Sequence, residues 1–217
     1  MVISDSRSKR RRLPQAWLVL VLAVGLGSAL AAVHVTLSPV IAANRLNETL
    51  ARIPALLEPN PDPAGGGRAS SALKIEPRDV QVKKKDKTSF YKVYQVARED
   101  HFLGWVVKAA GQGYADKIEL LVGLDPGIKT ITGLFILDQK ETPGLGNKII
   151  TAAWRDQFAG KNAGQPLRLA KGDPGKHNTI DAISGATISS RSVTRIVNQV
   201  TRDLRGPLGT ERGKPES

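Results

Sequence analysis

The stretch that decides the fold is KIELLVGLDPGIKTITGLFIL, residues 117–137. It holds two apolar runs of similar length on either side of Asp125-Pro126-Gly127. β-Branched and large aliphatic residues favour extended backbone, whereas Asp, Pro and Gly favour a tight turn. The stretch therefore predicts a β-hairpin.

A second hairpin is predicted just before the first. The runs FYKVYQVA, residues 90–97, and FLGWVVKA, residues 102–109, read as strands, and the polar residues 98–101 between them read as a turn.

Two helices are predicted to follow. The first covers residues 146–158, with an apolar face of Ile149, Ile150, Ala153 and Trp154. The second covers residues 189–204 and has apolar residues at helical spacing: Val193, Ile196, Val197, Val200 and Leu204. Together these elements predict an α+β fold, with a largely antiparallel sheet and flanking helices.

The N-terminal part predicts a transmembrane helix. Residues 16–33, AWLVLVLAVGLGSALAAV, carry no charge, and 18 helical residues span about 27 Å, close to the thickness of the bilayer hydrocarbon. The basic cluster of Arg7 and residues 9–12 predicts that the preceding end stays in the cytoplasm. A cleavable signal peptide is the alternative, because small residues offer processing sites at Ala29, Ala31 and Ala32. Under both interpretations, the rest of the chain lies outside the cytoplasm.

Apolar residues at 46, 50, 53 and 57 predict that the anchor helix continues outward, until Pro54 and the stretch EPNPDPAGGG end it. The predicted organisation is a basic cytoplasmic N-terminus, a transmembrane helix, an extracytoplasmic helix with a Pro/Gly linker, a globular domain and a polar tail. These parts cover residues 1–13, 14–37, 38–70, 71–204 and 205–217.

Composition excludes several kinds of chemistry. The chain has 217 residues, no cysteine and three histidines far apart in sequence. Disulfides, thiol nucleophiles, and Cys-ligated clusters or zinc sites are therefore excluded, and we expect no metal site. Redox chemistry would have to come from an organic cofactor or from a partner.

The formal net charge is +12. The run KKKDK, residues 83–87, lies between two candidate strands and predicts a solvated loop, with an anionic partner as the alternative. Aromatic residues make up only 5% of the chain, so nucleic-acid binding is disfavoured.

The strongest local signal is DAISGATISS, residues 181–190, at the start of the last predicted helix. A Ser or Thr hydroxyl here is typical of a helix N-cap. The same free N–H groups also suit a phosphate, with Arg191 and Arg195 adding positive charge. The residues alone leave both interpretations open.

Two motifs carry a family resemblance. DAISGAT, residues 181–187, resembles the flavinylation motif of FMN-binding domains, and ETPGLGNKI, residues 141–149, resembles their second signature. With one N-terminal anchor, the chain is similar over about residues 14–204 to the G subunit of the Rnf (Rsx) electron transport complex. The C subunit of the sodium-pumping NADH:quinone reductase is the alternative. Gln139 stands where Rnf sequences often have His.

The resemblance implies an FMN-binding domain over residues 71–204. FMN would be joined covalently to Thr187 by a phosphoester bond, made by a separate flavin transferase that recognises Asp181. Ser184, Gly185 and Ala186 would line the phosphate, and Ser189 would also bind the cofactor. Four more would form a wall against the flavin: Glu141, Thr142, Pro143 and Gly144. For Leu145 and Gly146, a wall and a simple turn both stay open.

The resemblance also implies a role. The chain would be a membrane-anchored subunit of an ion-translocating ferredoxin:NAD⁺ oxidoreductase, relaying electrons through FMN with no activity of its own. It would cross the inner membrane once, with its N-terminus cytoplasmic and its FMN domain periplasmic. Its partners would be the other Rnf subunits, the flavin transferase and membrane lipid. The alternative belongs to another functional class. It is a membrane-anchored binding module without redox activity, which holds an anionic partner on its basic surface.

Overall fold

The computed structural model describes residues 8–57, 73–84, 87–99, 101–172 and 178–209. It contains two compact units, one ending at Glu48 and the other beginning at Thr49. Helix α1 runs over Ser8–Leu57. Its segment Trp17–Leu57 includes an 18-residue window with a mean hydropathy of 2.4, which by length and composition suits a membrane span.

The predicted continuation of α1 beyond the uncharged stretch is confirmed, but Pro54 does not end the helix. Pro54 lies inside the helix, and the described part of the chain stops at Leu57. Ile53 and Leu56 are buried against the sheet, so tertiary packing stabilises the last turn despite the proline. The linker predicted over residues 58–67 lies outside the described residues.

The second unit contains a five-stranded antiparallel sheet in which each strand pairs with its neighbour in sequence. The predicted α+β fold with a largely antiparallel sheet is therefore confirmed. Both predicted hairpins are present, and one further strand precedes them. The strands are β1 (Leu73–Lys84), β2 (Lys87–Arg98), β3 (His101–Gln112), β4 (Lys117–Leu124) and β5 (Ile131–Asp138).

The lysine run was predicted to be a loop, and this is wrong for most of its residues. Lys83 and Lys84 end β1, and Lys87 begins β2, with Lys84 paired to Lys87. Residues 85–86 between them lie outside the described residues. Residues 79–83 alternate between exposed and half-buried positions, as in a strand with one face on the core. The half-buried Val80 and Val82 pack on that core, which stabilises the extended backbone next to the lysines.

The sheet is covered on both faces. One face packs against the C-terminal helix α3 (Thr187–Gly209), with Val107, Leu120 and Val197 in a shared cluster. The other face packs against the last turns of α1, with Ile53 beside Leu121 in a second cluster. Burial on both sides explains why the last five residues of β4 are all buried instead of alternating.

The single helix predicted over residues 146–158 is wrong. Three short pieces replace it: a 3₁₀ turn at Gly146–Ile150, helix α2 (Ala152–Arg155) and a 3₁₀ turn at Asp156–Phe158. Ile149 and Trp154 are both buried, yet one regular helix would point them about 140° apart. Extended backbone at Thr151 (φ −70°, ψ 140°) breaks the helix and lets both side chains reach the core. Ile150 and Ala153, predicted on the apolar face, are exposed.

Two short parallel strands, β6 (Arg168–Ala170) and β7 (Thr179–Asp181), lead into α3. Helix α3 begins two residues before and ends five residues after its predicted bounds. The polar tail predicted from Arg205 therefore starts inside the helix, because buried Leu208 packs on the core and extends it. The division of the chain at residues 13, 37 and 70 stays a prediction.

Candidate functional site

The start of α3 has free backbone donors. Thr187 is its first residue and Ala186 precedes it, so no side-chain oxygen occupies the N-cap position. Among the described residues, none accepts a hydrogen bond from the N–H of Thr187, Ile188 or Ser189. The predicted Ser/Thr cap is therefore absent at this position. Unpaired N–H groups at the positive end of a helix favour an anion.

The turn before α3 depends on Gly185. Its φ of +79° is in the left-handed region that glycine adopts without strain. The turn is closed by the Ala186 N–H, which donates to the Ile183 carbonyl at 2.9 Å. The Ser190 hydroxyl faces inward, where it accepts from the Ile183 N–H and donates to the Ala186 carbonyl. The turn therefore leaves Thr187 at the surface while it buries the serines that follow.

A cavity of about 580 Å³ opens beside Thr187, and we call it the apolar cavity. Residues from four chain segments line it: Tyr114, Thr142, Leu145, Gly146, Lys171, Gly185, Ala186, Thr187, Ile188 and Ser189. Three of its apolar side chains are unusually exposed, namely Tyr114 at 62%, Ile188 at 49% and Leu145 at 44%. An open cavity with an apolar rim suits a flat aromatic ligand.

A larger groove of about 990 Å³ lies on the other side of Thr187, and we call it the basic groove. It runs between α3 and β6, and its lining includes five cations: Arg168, Lys171, Arg191, Arg195 and Arg202. Among the residues that line it there is no Asp or Glu. Arg195 donates to the Gln112 carbonyl at 2.9 Å, which holds it against the end of β3. Thr187 thus lies where an apolar surface meets a basic one.

The structure brings five of the predicted site residues together around the apolar cavity: Thr142, Gly185, Ala186, Thr187 and Ser189. Leu145 and Gly146, for which a wall and a turn were both open, line it too. Pro143, Gly144 and Ser184 are exposed and are not among the residues that line either space. Asp181 accepts a hydrogen bond from the Gly172 N–H at 2.8 Å and lies at the end of β7.

Glu141 differs from its predicted position. Its side chain is buried, with 4% exposure, and it does not line the apolar cavity. It lies behind the wall and accepts hydrogen bonds from the N–H groups of Tyr114 and Ala115 and from the Ser189 hydroxyl. Its carboxylate therefore connects the β3–β4 loop to the start of α3.

Sequence reasoning missed three lining residues of the apolar cavity: Tyr114, Lys171 and Ile188. Ile188 is an apolar residue on the outer side of an otherwise well-packed helix, and that mismatch is a usable signal. Lys171 follows β6, and nothing in its local sequence indicates that it reaches Thr187.

The sequence matches the family model described as FMN-binding domain over residues 113–202. The G subunit of the Na(+)-translocating ferredoxin:NAD(+) oxidoreductase complex of Acetobacterium woodii is 40% identical over 108 residues, which cover 49% of this chain and 51% of that protein. The G subunit of the proton-translocating complex of Clostridium ljungdahlii is 32% identical over 142 residues, or 63% of this chain and 75% of that protein.

The C subunit of the Na(+)-translocating NADH-quinone reductase of Neisseria meningitidis serogroup A is 32% identical over 135 residues, covering 59% of this chain and 52% of that protein. The chain thus spans about half the length of two of these three relatives. The crystal structure of Shewanella oneidensis NqrC superimposes with a TM-score of 0.52 at 24% identity, covering 67% of this chain and 75% of the other, which supports the fold. The chain belongs to the family of FMN-binding-domain proteins that includes the G subunits of ion-translocating ferredoxin:NAD(+) oxidoreductase complexes and the C subunits of Na(+)-translocating NADH-quinone reductases.

Proposed function

We propose that this chain is a membrane-anchored electron-relay subunit that carries FMN on Thr187 through a phosphoester bond to Oγ. In this proposal it works within an ion-translocating ferredoxin:NAD⁺ oxidoreductase complex, and it has no reaction of its own with a soluble substrate. Bound FMN would supply one- and two-electron chemistry, while the protein supplies its position and electrostatic surroundings. The observation that carries the proposal is the accessible Thr187 hydroxyl at an uncapped helix start between the two cavities.

The helix start suits the phosphate. The three free N–H groups, of Thr187, Ile188 and Ser189, and the dipole of a 23-residue helix favour a negative group at this position. Arg191 lies one turn further along and lines the basic groove with Thr187. Among the described residues, Arg191 makes no ion pair. Its charge is therefore available to the phosphate.

The apolar cavity suits the flavin ring. Tyr114, Leu145 and Ile188 offer apolar and aromatic surface that is exposed to solvent without a ligand. Covering it with a planar ring removes that surface from water, which is favourable by about 25 cal/mol per Å². The residues would hold the ring beside the ester and leave its outer edge open. An open edge is what electron exchange with a neighbouring carrier requires.

The position of other hydroxyl groups supports Thr187 over its neighbours. Ser189 donates to Glu141, Ser190 donates to the Ala186 carbonyl, and both are buried. The Thr187 side chain is half-buried and borders both spaces. The residues that line the two spaces beside Thr187 include no Asp, Glu or His that could act as a base, which agrees with attachment by a separate transferase.

The experiment is fluorescence of the chain on a denaturing gel after purification from its native membrane. The wild-type band should fluoresce and a Thr187→Val band should not, because valine keeps the shape of threonine and lacks the hydroxyl. Thr201→Val is the matched control: it removes a hydroxyl from the same helix, away from the lining of both spaces, and should keep the flavin. A dark wild-type band, or a fluorescent Thr187→Val band, contradicts the proposal.

A further inference from the structure

Glu141 is a buried carboxylate that connects two segments of the site. Its Oε1 accepts the N–H groups of Tyr114 at 3.0 Å and Ala115 at 3.2 Å. Its Oε2 accepts the Ser189 hydroxyl at 2.5 Å. Tyr114 and Ser189 both line the apolar cavity, so one side chain holds two parts of its wall.

The space around this carboxylate is shaped by two glycines. A Cβ on Gly113 would lie 2.3 Å from Glu141 Oε1, and one on Gly146 would lie 2.9 Å from Glu141 Cβ and 2.8 Å from Ser189 Oγ. Those distances are too short for any side chain. Glycine at both positions thus lets the backbone approach the Glu141 side chain closely, and at Gly113 it also leaves room for the Asp116 carbonyl, which would lie 2.6 Å from the added Cβ.

Three hydrogen-bond donors surround the carboxyl group of Glu141. Two backbone N–H groups meet Oε1 and the Ser189 hydroxyl meets Oε2, an arrangement that stabilises negative charge. No Lys, Arg or His among the described residues forms an ion pair with Glu141. The backbone donors and the nearby positive end of α3 partly stabilise the charge. A net negative charge therefore remains directly behind Ser189 and Gly146.

We propose that Glu141 is a positioning residue that also lowers the midpoint potential of the flavin beside it. This inference rests on the proposed function, since it takes FMN to occupy the apolar cavity. Reduction of a flavin adds negative charge to the ring, and a buried negative charge behind the cavity wall opposes that addition. The effect persists at high salt, because solvent ions do not screen a buried group well.

The charge is tested in the flavin-loaded full chain by measuring the midpoint potential of Glu141→Gln. Glutamine keeps the shape, accepts the same two N–H bonds and donates to the Ser189 oxygen, so the wall stays in place without its charge. We expect the potential to rise. Asp116→Asn removes the same charge from the same loop, where Asp116 is half-exposed and paired with Lys140, and should move the potential much less. A Glu141→Gln potential equal to wild type, or a shift no larger than that of Asp116→Asn, overturns the electrostatic part.

The positioning role is tested without flavin, in the Thr187→Val background, by hydrogen exchange of the amides of Tyr114 and Ala115. Glu141→Ala should speed their exchange by about tenfold or more, because both amides lose the carboxylate oxygen that accepts from them. Glu141→Gln should leave exchange near the reference value. Unchanged exchange in Glu141→Ala overturns the positioning role. A wild-type chain without covalent flavin overturns the proposed function and the electrostatic part with it, while the exchange result still decides the positioning part.

Discussion

At the scale of single residues, position along the helix separates hydroxyl groups that look alike in sequence. Ser189, Ser190 and Thr194 are buried and donate hydrogen bonds to acceptors inside the domain. Thr187 is the first residue of the same helix and is only half-buried, because no preceding helical turn covers it. Ser189 and Ser190 therefore stabilise the turn and the helix, whereas the Thr187 hydroxyl is left at the border of the two spaces.

Tyr91 provides a residue-scale prediction about pH. Its hydroxyl donates to buried Asp203 at 2.7 Å and accepts from Gln199 at 3.1 Å. Burial, and then the hydrogen bond to Asp203, raises the pKa of Tyr91 to about 12. The folded state holds this proton more tightly than the unfolded state, so the contribution to stability is present below pH about 10 and is lost as pH rises from about 10 to 12.

Urea unfolding of the apoprotein at several pH values between 8 and about 12 measures this effect. We expect the wild type to lose stability more steeply than Tyr91→Phe above pH about 10, since phenylalanine has no proton to lose. The comparison with Tyr91→Phe removes the contribution of lysines, which titrate in both proteins. Parallel stability profiles for the two proteins would contradict the prediction.

At the scale of elements, the site is made where a turn, a loop and a helix start meet. Tyr114 comes from the β3–β4 loop, Leu145 from the segment after β5, and Ile188 from the first turn of α3. None of these elements forms the cavity alone. Their relative placement depends on Glu141 and on the left-handed turn at Gly185.

Gly185→Ala tests the turn. A Cβ at Gly185 would lie 3.0 Å from Leu145 Cδ2, and the backbone has φ +79°. We expect a loss of about 1–2 kcal/mol in the free energy of unfolding, together with reduced flavin incorporation, because Leu145 must move. Gly160→Ala is the matched control: its φ is +76° and no atom lies within 4 Å of the added Cβ.

Both variants should lose similar stability in urea unfolding, since the backbone penalty is shared. Only Gly185→Ala should show weaker flavin fluorescence per mole of chain. Equal incorporation in the two variants would mean that the contact with Leu145 has no influence on the cavity.

At the scale of the whole molecule, an apolar N-terminal segment and a basic globular unit share one chain. The apolar side chains over residues 17–37 are largely exposed, whereas the second unit has two buried clusters of its own. Exposed apolar surface of this extent in a helix is favourable in lipid. We propose a single pass through the inner membrane, with residues 1–13 in the cytoplasm and the FMN domain outside it.

The absence of cysteine makes this orientation simple to test. A single thiol introduced by Lys92→Cys, at an exposed position on β2, should react with a membrane-impermeant maleimide in cells whose outer membrane is permeable. A single thiol from Ser6→Cys should react only after the inner membrane is disrupted, because the basic cluster keeps that end inside. Labelling of Ser6→Cys in intact cells, with Lys92→Cys protected, would reverse the proposed topology.

Much of the fold follows from local sequence. The hairpin at 117–137, the antiparallel sheet and the amphipathic last helix were predictable, because alternation and helical spacing record which side of each element meets the core. The motif at 181–187 likewise indicated the start of the last helix, and it left open whether that start is simply capped or binds an anion. Such features depend on residues close together in the chain, where propensity and pattern act directly.

The broken segment at 146–158, the burial of Ile53 and Leu56 on the second sheet face, and the role of Glu141 depend instead on contacts between distant residues. Glu141 meets Tyr114 across 27 positions and Ser189 across 48. No local pattern records such a contact, because its free energy is gained only after the sheet and α3 have packed. The family motifs in the sequence therefore indicated candidate residues for the site, and long-range packing determined which of them line the cavity and which lie behind its wall.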